Sequence, residues 1–286
     1  MKLGFSAWAM RERPVEDQIR IVRDAGFAAI CLVSGAAFSL DALTADVAER
    51  RRIRSLLDEA GLELSAIAGH ANLLEPDETQ RAANVDRIKA TLDLAVDLAG
   101  SDGTPPPVIG MGYGAPERYE VEKHALALAF GELARHAESR GATMALEPHV
   151  GQAFDAPEKI VWLMEEVGSP HFRLNLDNSH FEVMGRDLDE YLPKLLPYSV
   201  HTDLKDQRGR YPDHQFLVPG EGDFDYVRYL RAMDHAGYNG CITVEISVMV
   251  QRRPGYDPAE VARRSCETLL AAAGAADVAL VHGLGV

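Results

Sequence analysis

Four stretches of the chain close an apolar run on groups that can bind a cation or move a proton. "TMALEP" (143–148) ends on Glu147, with His149 two positions on. "FRLNLD" (172–177) ends on Asp177, with His180 three positions beyond. "YSVHTD" (198–203) carries His201 and Asp203 and is followed by Lys205, and "CITVEI" (241–246) carries Glu245. Taken singly, an acid at the end of a strand is more often a helix cap or loop anchor than a ligand. A lone histidine there is more often a satisfied polar group. Four such endings in succession ask for one common explanation.

Side-chain alternation supplies it. Successive side chains of a strand point to opposite faces. Met144 and Leu146 therefore oppose Ala145 and Glu147, Leu174 and Leu176 oppose Asn175 and Asp177, and Ile242 and Val244 oppose Thr243 and Glu245. On the third stretch Val200 opposes Ser199, His201 and Asp203. If the large aliphatics face surrounding helices, Glu147, Asp177, His201 and Glu245 converge on one spot. Three carboxylates meeting there would repel one another strongly, and a divalent cation is the simplest neutraliser. Oxygen donors with one imidazole suit Mn²⁺ first, with Mg²⁺, Co²⁺ and Zn²⁺ also admissible.

The elements that must hold these residues repeat along the whole chain. Eight apolar segments, at 2–8, 28–33, 62–69, 107–112, 143–148, 172–177, 198–203 and 241–246, alternate with amphipathic ones. Val85, Ile88, Leu92 and Val96 recur at helical spacing, as do Ile160, Leu163 and Val167. Gly26, Gly61, Gly100, Gly141, Gly168 and Gly237 stand where helix-terminating glycines would. Eight strand–helix pairs with no linker predict an α/β fold, a single (β/α)8 TIM barrel over residues 1–286, with 271–286 a C-terminal tail. No GxGxxG follows the first strand to support a doubly wound dinucleotide fold instead.

Composition narrows the partners. The 286 residues carry a formal net charge of −15 without a basic run, which opposes nucleic-acid binding. Cys31, Cys241 and Cys266 are far apart and predict free thiols rather than a disulfide framework. The N-terminus lacks a signal-like apolar run and no segment could span a membrane, so a soluble cytoplasmic protein is expected. No Gly-rich loop with neighbouring cations stands out to hold a phosphate.

"ALEPH", "LNLDNSH", "HTDLKD", "VPGEGDFDY" and "TVEIS" together resemble the xylose isomerase-like barrel superfamily of sugar phosphate isomerases and epimerases. The resemblance is close in motif over residues 143–247. It implies one divalent metal held by Glu147, Asp177, His201 and Glu245, with the two glutamates as the acid/base pair and His180 on a substrate hydroxyl. His149, His70, Lys205, Arg208 and Trp8 are further candidates for substrate contact. The implied activity is metal-dependent isomerisation or epimerisation of a sugar, by proton abstraction beside a carbonyl through a metal-stabilised enediolate. The alternative is a lyase on the same scaffold, an inosose-type dehydratase or a deglycosidase of 3-oxo-glycosides or C-glycosides working by β-elimination. Two positions depart from the epimerase pattern: Ala153 replaces a substrate-binding Glu and Gln207 an Arg, with Arg208 next to it. Lys205 lies four residues past His201, and a shifted register would make Asp203 the ligand instead. A small-molecule sugar is the expected partner, and a second copy or partner subunit could complete an assembly.

Overall fold

A computed structural model describes residues 1–283. Eight parallel strands close into a barrel: Lys2–Ser6, Ala29–Val33, Glu63–Ala68, Val108–Met111, Met144–Glu147, Phe172–Asp177, Ser199–Leu204 and Cys241–Val244. They are called strands one to eight below. Each pairs with its sequence neighbour, and strand one closes on strand eight. All eight coincide with the apolar segments of the sequence to within one or two residues.

Helices cover the outside because each carries one apolar stripe. On helix Val47–Ala60, Ile53 and Leu57 are fully buried while the charged positions around them face water. Burying side chains of this size contributes about 1.5–3 kcal/mol each. The helix begins where the Asp46 side chain accepts the Glu49 N–H and stops at Gly61, whose positive φ a side chain would strain. Gly141 and Gly168 end their helices in the same left-handed conformation. Gly100 does not, because the helix before it has already ended at Asp97. The tail is more ordered than the sequence suggested. Val281 bridges to Lys2, and Gly283 donates to the Gly26 carbonyl. Residues 284–286 of the expected tail lie outside the described residues.

One element has no counterpart in the sequence reading. After strand seven the chain forms an antiparallel hairpin, Asp206–Arg208 with Gln215–Leu217, beside the C-terminal mouth of the barrel. The three cysteines are buried and unpaired, as expected. Among the described residues no helix is long and apolar enough to cross a membrane.

Candidate active site

Strand register decides which inward side chains share a level. Asp177 pairs with Asp203 and Asn175 with His201, so on strand seven Asp203 lies level with the acid of strand six and His201 lies two residues below it. Glu147 and Glu245 come from the ends of strands five and eight. One oxygen each of Glu147, Asp177 and Glu245 lies within 4.8 Å of the others. Glu147 and Asp177 are buried, and the Glu245 side chain is 14% exposed. Three of the four residues expected to converge do so.

His201 does not join them. Its Nδ1 lies 2.9 Å from the Asn175 side-chain oxygen, and its Nε2 lies 2.9 Å from Thr243 Oγ1 and 3.2 Å from Ser65 Oγ. Both ring nitrogens are thus engaged below the carboxylates. Gly4 leaves room for this contact, since an added Cβ would sit 2.9 Å from Thr243 Oγ1. The Asn175 amide in turn donates to Asp203 at 2.7 Å. Burial pushes the His201 pKa down to about 4, so the ring is neutral.

Lys205 occupies the space between the acids. Its Nζ bonds Asp177 and lies 3.2 Å from Glu245. Burial would favour a neutral amine, yet Asp177, Glu245 and Glu147 hold the ammonium well above its ordinary pKa. The carboxylates respond differently to this shared environment. Burial opposes ionisation of Glu147, but His149, His70 and Lys205 keep it well below the usual carboxylate range. Asp177 is also lowered, chiefly by Lys205 and His180 against the cost of burial. Asp203 is raised well above its ordinary value, by burial and then by repulsion from Glu245, Glu147 and Asp177. Glu245 is pushed up to about 7 by burial and by the charges of Glu147 and Asp177, with Lys205 pulling the other way. Adjacent carboxyls held apart in this way can divide acid and base roles.

Imidazoles line two sides of the cluster. His149 Nε2 lies 3.2 Å from Glu147 Oε1, and His70 Nε2 lies 3.6 Å from Glu147 Oε2. His180 Nε2 lies 3.4 Å from Asp177 Oδ2, and its ring sits 4.1 Å from that of His149. Burial and the nearby His149 drop the His180 pKa well below its ordinary value. Trp8 meets His70 edge-on at 5.9 Å. Of the proposed substrate contacts, Arg208 alone faces away. It is more than half exposed, at the end of its hairpin strand, where Asp223 and the Glu221 carbonyl hold it.

Two residues without an assigned role in the sequence reading shape the site. The buried Asp206 carboxylate accepts backbone N–H groups from Gln207, Gly220, Gly222 and Phe224 at 2.8–3.2 Å, tying residues 206–224 against the end of strand seven. Phe216, on the hairpin, packs edge-on to His180 at 5.2 Å and lies 5.8 Å from Lys205 Nζ. "KDQRG" and "GEGDF" hint at the first through the turn glycines, but nothing local announces the second.

The family model of xylose isomerase-like TIM barrels matches residues 19–272. The chain belongs to this family. Curated members similar to this xylose isomerase-like barrel include fructoselysine 3-epimerase of Escherichia coli O157:H7, 24% identical over 264 residues that cover 89% of this chain and 93% of that protein. Inosose dehydratase of Clostridium perfringens is 27% identical over 141 residues, covering 44% of this chain and 48% of that protein, so the match spans about half its length. Among solved structures, an L-ribulose 3-epimerase aligns with a TM-score of 0.76 at 20% identity, covering 96% of this chain and 97% of that one. A Mycobacterium smegmatis xylose isomerase-like TIM barrel protein, in complex with magnesium, aligns at 0.71 and 18% identity, with coverage of 96% and 97%. At these identities the structural matches establish the fold alone.

Proposed function

We propose that this xylose isomerase-like barrel is a divalent-metal-dependent sugar isomerase or epimerase. The observation that carries the reading is the buried convergence of Glu147, Asp177 and Glu245 at the C-terminal ends of their strands, where barrel enzymes place their chemistry. The residues fit a cation. Four carboxyls, Asp203 included, face the single ammonium of Lys205, and buried Asp203 Oδ1 has no hydrogen-bond partner. Glu147, Asp177 and Glu245 would hold the ion, with Asp203 the strand-seven acid whose charge couples to all three. An oxygen-only set favours a hard cation such as Mn²⁺ or Mg²⁺. Such an ion supplies Lewis-acid polarisation of a carbonyl and offsets the charge that builds when a neighbouring C–H is deprotonated.

The chain's own residues account for the remaining tasks. Glu147, kept ionised, takes the proton from the carbon beside the carbonyl. Glu245, on strand eight, returns one to the same carbon. Neutral His180 offers a hydrogen bond to a sugar hydroxyl without adding positive charge, His149 stacks beside it, and Phe216 and Trp8 exclude water from the two sides of the mouth. The same first step leads to elimination when the β-carbon bears a leaving group. The local similarity to inosose dehydratases and the buried Ala153 in place of an epimerase anchor favour keeping that second outcome.

The test is exchange of a substrate C–H with deuterated water across a panel of ketoses and inososes, with the Mn²⁺-loaded protein. Exchange should fall by about 10²–10⁴ in Glu147→Gln and Glu245→Gln. A stereoisomer as product identifies the epimerase, and release of water or an aglycone the lyase. Absence of exchange with every compound would refute the proposal.

A further inference from the structure

A cavity opens on the same end of the barrel as the carboxylates, between the segments that follow strands one and eight. It measures about 390 Å³, within the range of small-molecule sites, and its lining includes Arg11, Arg13, Gln251, Arg252 and Tyr256. Two arginines come from one end of the chain and the third from the other, 239 positions apart, so no basic run marks the place in the sequence.

These arginines differ from their neighbours in the fold. Arg23 pairs with Asp24 and Arg253 with Glu221, whereas Arg11, Arg13 and Arg252 enter no ion pair among the described residues. The acids nearby, Glu12 on the lining and Asp257 beside it, leave all three unpaired. Arg11 is held in place rather than solvated. Its Nη1 donates to Gln251 Oε1 at 2.7 Å and to the Trp8 carbonyl at 2.9 Å, and its guanidinium lies 4.1 Å over the Trp8 ring. Its Nε is buried without a partner. Arg13 and Arg252 are exposed and Arg11 is half-buried, so in a chain of net charge −15 three guanidiniums without an acid partner stand ready to turn toward an anion in this cavity.

The cavity is joined to the carboxylate site by contacts on both sides. Trp8 links Arg11 to His70 and through it to Glu147. Gln251 Nε2 donates to the Ile246 carbonyl, the residue after Glu245. We propose that this cavity binds an anionic substituent, a phosphate or a carboxylate, carried by the sugar whose carbonyl end lies over Glu147 and Glu245. Guanidinium forks match both anions, and the anion would fix the direction in which the sugar enters. The role toward a sugar rests on the proposed function, whereas the anion site itself does not.

Two titrations by calorimetry separate these layers, both on the full-length Mn²⁺-loaded protein. The first uses inorganic phosphate, with Arg13→Ala and Arg252→Ala as variants. Saturable binding that weakens about tenfold in each variant supports the site. No saturable binding, or binding equal in all three proteins, overturns it. The second compares a neutral ketose with its terminal phosphate and with the corresponding sugar acid. The anionic ligand should bind at least about tenfold more tightly, and that ratio should collapse towards one in both variants. The tighter of the phosphate and the acid identifies the anion. Equal affinity for neutral and charged sugars overturns the substrate assignment. Phosphate binding with no sugar bound would instead keep the anion site and sink the sugar reading. Circular dichroism and melting of each variant check that a loss is not a loss of fold.

Discussion

The replacement Asp206→Asn isolates one interaction that the whole site depends on. Asp206 is 1% exposed and its two oxygens accept four backbone N–H groups, two each. Asparagine keeps the shape and one acceptor oxygen. Its amide nitrogen, a donor, then faces two N–H groups that can no longer be satisfied. A buried donor left without a partner costs about 1–3 kcal/mol, so two cost roughly 2–6 at most; the donors of Gly220, Gly222 and Phe224 are only partly buried, so water and relaxation of the segment 220–222 should return part of that. The expected loss is about 3 kcal/mol, a large share of the 5–15 kcal/mol available to a typical folded chain. Urea unfolding at pH 7 should show a lower midpoint with an unchanged slope. Asp223→Asn is the control, since Asp223 is 62% exposed and only touches Arg208, and it should stay within about 0.5 kcal/mol of the native protein. The hairpin bearing Phe216 hangs from the same segment, so Asp206→Asn should also weaken sugar binding. A loss below about 1 kcal/mol would refute the reasoning, because it would mean that these N–H groups find water as readily as the carboxylate.

Three further outcomes follow from the same geometry. Gly222→Ala places a Cβ 2.2 Å from Asp206 Oδ1 and 2.5 Å from the Gln207 carbonyl, so it should destabilise like Asp206→Asn, and the double variant should fall well short of additivity in urea. In metal-stripped protein, Lys205→Met leaves Asp177 and Glu245 without their cation, at a cost of about 3–5 kcal/mol. Added Mn²⁺ should therefore raise its melting temperature by more than that of the native protein, and an equal rise would show that Lys205 does not neutralise the site. Glu245 titrates near 7 in the folded protein, above its unfolded value, so its contribution is fully present below the unfolded pKa and is lost as pH rises through about 7. Stripped Glu245→Gln should accordingly gain on the native protein between pH 5 and pH 8, by no more than about 3 kcal/mol, and a gain at the acidic end instead would reverse the assignment.

Much of the site could be read in the sequence because period-two alternation is a local property. Leu174 and Leu176 against Asn175 and Asp177 sufficed to turn Asp177 inward, and the same reasoning placed Glu147 and Glu245. Alternation cannot set height. His201, Asp203 and Lys205 all share one face of strand seven, and only pairing with strand six shows that Asp203, not His201, is level with Asp177. Lys205 lies beyond them, and its long side chain folds back to Asp177, a reach that no spacing rule encodes.

By itself, then, the sequence determined eight alternating units, their inward and outward faces and three of the converging acids, since hydrophobic period and turn chemistry act over a few residues. Tertiary structure decided the quantities that depend on stagger between strands and on distant loops. His201 bonds Asn175 and Thr243 instead of joining the acids, Arg208 turns to solvent, Phe216 arrives over His180, and Arg11, Arg13 and Arg252 meet around one cavity. The physical reason is that closing a barrel fixes strand register and brings the two ends of the chain side by side, and neither constraint is written in any local stretch of residues.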